Sequence, residues 1–240
     1  SNNATMQDLN YISYEFDITN PGIYKYFRFE ISAIQATNHG VMQLSEFYFK
    51  VDDCNEVSVG SGSSTGYNLP VNMYFNYSLT QQIYTAAEIG DAGIISSISF
   101  EYAYTSSFTM NNIKVYMLNT DKSSFSSNTD MVAIGDVDKV FEGTFSATGS
   151  GWVTIELDNP FVYTGDNLLV AFYDNTDGFP GSYYNFKYTA TDDYTSCYYY
   201  NDNCTPDLSN ISSFSGSKSY QKYHNNIKFC IYEPPPTSCI

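Results

Sequence analysis

The sequence predicts an all-β chain: a jelly-roll-like β-sandwich with an additional N-terminal β segment. Three observations carry that expectation. Aromatic residues make up 18% of the 240, with 24 Tyr and 17 Phe, and such side chains suit pleated, half-buried surfaces. Short runs alternate apolar and polar residues with period two. Polar turns such as NTDKSS, ATGSG and YTGDN separate those runs at regular spacing, which is the pattern of a sandwich or jelly roll.

The elements follow in order. In residues 23–34, Ile23, Lys25, Phe27, Phe29, Ile31 and Ala33 share one face, and Tyr24, Tyr26, Arg28, Glu30 and Ser32 share the other. Residues 41–51 continue as a further strand, so 1–53 reads as a β segment too small to bury a core alone. Residues 54–66 (CNEVSVGSGSSTG) read as a Gly/Ser-rich linker. The main domain spans 67–232, with strands expected near 71–78, 81–85, 94–102, 112–118, 138–146, 151–157, 167–174, 184–189, 195–200 and 226–232. A single helical turn is expected at 121–125, capped by Asp121. Residues 233–240 form a Pro-rich tail that reads as a stiff exit toward a further module. The rows Ile98/Phe100/Tyr102, Ile113/Val115/Met117 and Val153/Ile155/Leu157 are expected to face inward.

Charge bounds the partners. The formal net charge is −16 and Arg28 is the single arginine, so a nucleic-acid backbone or an anionic membrane surface is repelled. No apolar run reaches the length of a membrane span. The polar start SNNATM reads as a mature or cloned terminus. Five cysteines favour an oxidising, extracellular or cell-surface setting. Cys197 and Cys204 bracket a tyrosine-rich turn and are expected to close a small loop; Cys54 with Cys230 or Cys239 is placed to staple the main block.

The block QQIYTAAEIG, GIISSISF, NIKVYMLNTDKSSF, VFEGTF, GWVTIELDNPFVYTGDNLLVAFYD and NNIKFCIY resembles a β-sandwich repeat of secreted, cell-surface proteins of Bacteroidetes-type bacteria, the jelly-roll adhesin domains that accompany surface proteases and hemagglutinins. Residues 24–49, with Leu44-Ser45-Glu46-Phe47, resemble the last strands of a discoidin-like galactose-binding domain. These resemblances imply adhesion or carbohydrate binding, toward a glycan or a host or cell-surface protein, often with calcium.

Candidate site residues each have two readings. Trp152 shares the more polar face of its strand with Thr154 and Glu156, so it is either a platform for a sugar ring or a strand-edge tryptophan packed on the preceding loop. Tyr183, Tyr184, Tyr198, Tyr199 and Tyr200 are either a recognition surface at a sandwich end or aromatic cladding of a sheet. Asp174, Asn175, Thr176 and Asp177, joined by Glu88, are either a Ca²⁺ site or an Asx turn closed by Gly178. Asp136 and Asp138 are a weaker alternative, and Asn3, Asn76, Asn203 and Asn210 stand in glycosylation triplets. His39 and His224 each stand in a polar turn, and no catalytic motif occurs, so the expectation is a non-catalytic binding module. The alternative is a subunit of a filament or surface layer that self-assembles through strand edges.

Overall fold

The computed structural model describes residues 54–176, 178, 182–211 and 216–232. The strands expected over 23–51, the Pro-rich tail, Cys239 and Asp177 lie outside the described residues.

Among the described residues, thirteen strands and one short α-helix follow in order: β1 (Asn55–Val59), β2 (Ser64–Gly66), β3 (Tyr77–Tyr84), α1 (Ala86–Ile89), β4 (Gly93–Tyr102), β5 (Phe108–Thr120), β6 (Lys139–Ala147), β7 (Gly151–Tyr163), β8 (Asn167–Asp174), β9 (Phe186–Ala190), β10 (Ser196–Asn201), β11 (Ser217–Gln221), β12 (Tyr223–Asn225) and β13 (Ile227–Tyr232). They form two sheets. One runs β1-β13-β4-β9-β12, with β7 on β4 and β2 on β9; the other runs β11-β10-β3-β8-β5-β6. Each pairing among these strands is antiparallel.

The inward rows stand where alternation places them. Ile98, Phe100, Tyr102, Ile113, Val115, Met117, Val153, Ile155 and Leu157 all belong to the core between the sheets, whereas Trp152, Thr154 and Glu156 face out. Aromatic rings knit that core: Phe100 meets Phe172 edge-on at 5.3 Å, and Phe145 stacks on Phe186 at 5.9 Å.

A second apolar cluster lies on the far side of the six-stranded sheet. Leu79, Ile83, Leu169, Ala171, Cys197 and Tyr199 supply the sheet side; Phe125, Ile134 and Ile211 come from loops that cover it. This explains β8, whose LLVAFYD is buried at every position rather than at alternate ones. Residues 121–125 form no helix but begin the covering loop. Gln81 clamps that loop as a backbone surrogate: its Nε2 donates to Val132 O at 2.6 Å and its Oε1 accepts from Val132 N at 2.8 Å. A buried, doubly bonded amide is a strong anchor, because stripping it leaves two backbone groups without partners.

The expected linker is a correction. Residues 54–66 carry β1 and β2, paired to β13 and β9. Their glycines serve close approach rather than slack. Gly60 has φ +81°, and a Cβ there would stand 2.7 Å from Thr189 Oγ1. A disulfide joins Cys54 to Cys230 and fixes this edge strand. A helical turn stands at AAEIG instead of at 121–125. It is the one-turn α1, where the Thr85 backbone N–H donates to Glu88 Oε2 at 2.8 Å.

His224 is not in an open turn but fully buried in β12. Its Nδ1 lies 3.1 Å from Asn225 O and its Nε2 3.0 Å from Glu88 Oε1. Its Nε2 is thereby aimed at the Glu88 carboxylate, a hydrogen-bond acceptor. Tyr84 lies against the ring at 4.7 Å. The imidazole beside Glu88, its largest influence, holds the Glu88 carboxyl down at about 2. A lowered carboxyl stabilises the fold above its usual range, and that support is lost as pH falls from about 4.5 to about 2. The Glu88 side chain is 35% exposed, so screening leaves the pair about 1 kcal/mol or less. Glu88→Gln is expected to lower the urea midpoint at neutral pH and to match wild type near pH 2. An equal loss at both pH values would show that the ion pair is not the cause.

Candidate functional site

The strand registers sort the loops into two poles. At one pole lie the ends of β4 (Tyr102), β8 (Asp174) and β10 (Asn201) and the starts of β3 (Tyr77), β7 (Gly151) and β9 (Phe186). At the other lie Tyr84, Leu168 and α1. Trp152, Asp174, Tyr183, Tyr184, Tyr198, Tyr199 and Tyr200 therefore gather toward the first pole, and Glu88 stands at the second. Ser78 pairs with Asp174 and Tyr84 with Leu168, so the length of β3, about 20 Å, separates Glu88 from Asp174. Glu88 as a member of the calcium set is thus a correction: it is engaged by His224 and Thr85 at the opposite pole, and among the described residues, which do not include Asp177, no group of three His, Cys, Asp or Glu side chains converges. Asp136 and Asp138 lie on a single 3-10 turn where Asp138 caps Gly135 N at 2.9 Å.

The tyrosines divide. Tyr199 is fully buried in the second core cluster, and Tyr184 packs against Phe108 at 5.6 Å at the border of the main core, so both are structural. Cys197 and Cys204 are not bridged to each other, which corrects the expected small loop. Cys197 shares the Tyr199 face of β10 and is completely buried, with burial pushing its thiol up to about 12. Cys204 lies beyond the strand end, 3.7 Å from the Tyr199 hydroxyl.

Tyr183, Tyr198 and Tyr200 instead join rings that the sequence pattern assigns to a strand or leaves unmarked. Tyr74 stacks on Tyr183 at 4.2 Å, and Tyr67 meets Tyr183 at 4.4 Å. Tyr74 contacts Phe75, which stacks on Tyr200 at 4.0 Å, and Tyr198 follows at 6.0 Å. Beside them Tyr188 stacks on Tyr223 at 4.2 Å. Residues 71–76 do not extend β3; Leu69–Met73 turn inward as a buried loop and leave Tyr74 and Phe75 at its rim. The signal for this is present in YNLPVNMYFNY, where Asn recurs between aromatics instead of a clean alternation.

This ladder is amphipathic. Tyr67 is 38% exposed and Tyr183 45%. The Tyr183 phenol is raised, by desolvation and then by its neighbours Tyr74, Tyr67 and Tyr200. Amides frame it: Asn72 Nδ2 donates to Asn68 Oδ1 at 3.1 Å, and Asn76 Nδ2 donates to Asp202 O at 3.1 Å. The arrangement offers flat apolar faces, phenol hydroxyls and amides, which suits a ligand with both C–H faces and hydroxyls.

Trp152 is a separate feature on the outer face of the seven-stranded sheet, 39% exposed. Lys228 Nζ lies 4.8 Å over its ring and is itself paired to Glu56 at 2.6 Å. One indole face is thus occupied by a cation. A shallow groove beside it is lined by Ser146, Thr148, Ser150 and Thr154.

The fold and this site define a two-sheet β-sandwich with an aromatic cluster at one pole. No protein-family model matches the chain, and no curated protein matches it. Three solved chains match. One holds the cysteine protease and lectin-like domains of Cwp84, a surface layer associated protein of Clostridium difficile, at 15% identity and a TM-score of 0.32. That match covers 64% of this chain and 32% of the other, so this chain spans about a third of that protein. A likeness this low transfers neither ligand nor activity.

Proposed function

We propose that the chain is a non-catalytic binding module of an extracellular or cell-surface protein, and that it takes uncharged glycans on the ladder Tyr67–Tyr74–Tyr183–Phe75–Tyr200. The carrying observation is the stacking of half-buried Tyr74 on exposed Tyr183, with exposed Tyr67 against it. Rings fixed in advance by one another lose little freedom on binding, and a pyranose C–H face covers such a surface well. The ladder is built of aromatic residues without a lysine, on a chain of net charge −16, which favours a neutral ligand over a sulfated or sialylated one. The Cys54–Cys230 disulfide supports the extracellular setting.

A glycan array with wild type, Tyr183→Ala and Trp152→Ala tests this. Wild type retains neutral glycans, Tyr183→Ala weakens the best of them about tenfold or more, and Trp152→Ala leaves them unchanged. Retention of no glycan by wild type, or equal retention by Tyr183→Ala, overturns the reading. Loss in Trp152→Ala alone would move the site to the seven-stranded sheet.

A further inference from the structure

The first pole contains a buried carboxyl that the binding surface does not use. Asp174 ends β8 and is fully buried. Its Oδ1 is 2.9 Å from Thr176 N and 2.6 Å from Thr176 Oγ1, while its Oδ2 is buried with no partner. Ser78, directly across on β3, carries a second buried hydroxyl with no partner. Alternation puts both side chains on the same face of the sheet.

Thr176 sets the proton count. Its hydroxyl also contacts Asn111 O. A threonine hydroxyl has one hydrogen, and a backbone carbonyl only accepts. If that hydrogen goes to Asn111 O, the contact with Asp174 is a bond only when the carboxyl supplies the hydrogen. Asn111 is held for this. It precedes Asn112 at φ +56°, inside the β5 irregularity between Met110 and Ile113, and Thr144 Oγ1 donates to its side chain at 3.2 Å.

We infer that Asp174, Thr176 and Ser78 form a proton-operated latch that holds the end of β8 to β5 and so keeps the tyrosine ladder assembled. With the carboxyl protonated, Asp174 donates to Thr176 and Thr176 donates to Asn111 O. Once the proton leaves, the hydroxyl turns to the anion and Asn111 O is released. The buried charge then draws the chain end of β8 toward water. The ladder feels this through β3, where Ser78 pairs with Tyr200 as well as with Asp174.

No cation among the described residues compensates the charge. Burial is the largest influence on Asp174 and pushes its carboxyl up to about 7, and the opposing influences come from Thr176 alone. Ser78 faces it from β3 and Ile113 from β5. The titratable neighbours are phenols: Tyr173, raised first by its own burial and then by Asp174, and Tyr77 beside Tyr173. A carboxyl raised in the folded state favours the fold at low pH, and that preference disappears as pH rises from its ordinary range to about 7. The latch is therefore closed in mildly acid solution and loosened above neutrality.

This rests on the glycan reading for its consequence but is testable without a ligand. The Asp174 carboxyl ¹³C shift, the Thr176 amide exchange rate and the near-UV tyrosine circular dichroism are followed from about pH 5 to about pH 8.5 for wild type, Asp174→Asn and Thr176→Val. In wild type the three observables share one midpoint near neutrality, the Thr176 exchange rate being taken after correction for the intrinsic rise of exchange with pH. Asp174→Asn, whose amide donates at every pH, stays in the closed state throughout. Thr176→Val stays in the loosened state. An Asp174 carboxylate already ionised at about pH 5, or identical profiles for wild type and Asp174→Asn, overturns the latch. On the glycan array, wild type loses retention between the acid and alkaline condition while Asp174→Asn keeps it. An array empty at both pH values defeats the ligand assignment, while the three spectroscopic midpoints still decide the latch by themselves.

Discussion

Ile155→Asp abolishes folding, and Glu156→Lys, one residue on, is tolerated. Ile155 is 3% exposed in β7, opposite Ile98, with Phe100, Val153 and Leu157 in the same core. Removing its aliphatic volume costs about 2–5 kcal/mol, and an unpaired carboxylate in its place costs several more. Together these match the whole net stability of an ordinary domain, about 5–15 kcal/mol. Glu156 faces out on the same strand, so Glu156→Lys is expected to stay within about 0.5 kcal/mol. Circular dichroism and urea melts of the two purified proteins decide it. Equal damage from both would mean that the faces of β7 are assigned the wrong way round.

Loss of the Cys54–Cys230 bond is the second large effect. The bonded residues are 176 apart in sequence, so the bond closes almost the whole domain into a ring. Restricting the unfolded chain over such a loop is worth about 5 kcal/mol in the chain-entropy account. The folded state loses little contact, since β1 keeps its pairing from Asn55–Ile231 to Val59–Ile227. The double variant Cys54→Ser with Cys230→Ser, or wild type in reductant, is expected to melt at least about 10 °C lower. An unchanged melting temperature would show that the unfolded chain is already held compact by other means. Cys197 offers no replacement partner, because it is sealed in the second cluster.

The fold is legible in the sequence where one face of a strand is buried and the other is wet. β7 and residues 98–102 of β4 show the alternation that this geometry imposes. It is less legible where loops bury the second face, because period two then vanishes, as in β8. Gly and Ser in 54–66 read as slack because composition does not show that Gly60 must lie against Thr189. β11 and β12 are short and polar, SKSYQ and YHN, and are strands by pairing rather than by pattern. For the site, the aromatic richness of 183–200 is visible but its division is not. Tyr199 and Tyr200 differ by one residue and by which side of the sheet they take. Tyr67, Tyr74 and Phe75 escape because their role depends on a loop folding back across more than about a hundred residues to reach Tyr183 and Tyr200. Grouping Glu88 with Asp174 fails for a related reason: turn composition does not say at which end of β3 a turn will stand.

The ring closed by Cys54 and Cys230 also has a mechanical meaning. Tension applied to the chain before residue 54 and after residue 230 enters at one sulfur and leaves at the other. The covalent bond carries the load, and the strands inside the ring bear none of it. A reducing agent would therefore turn a domain that does not extend under a pull into one that unravels from its β1–β13 edge.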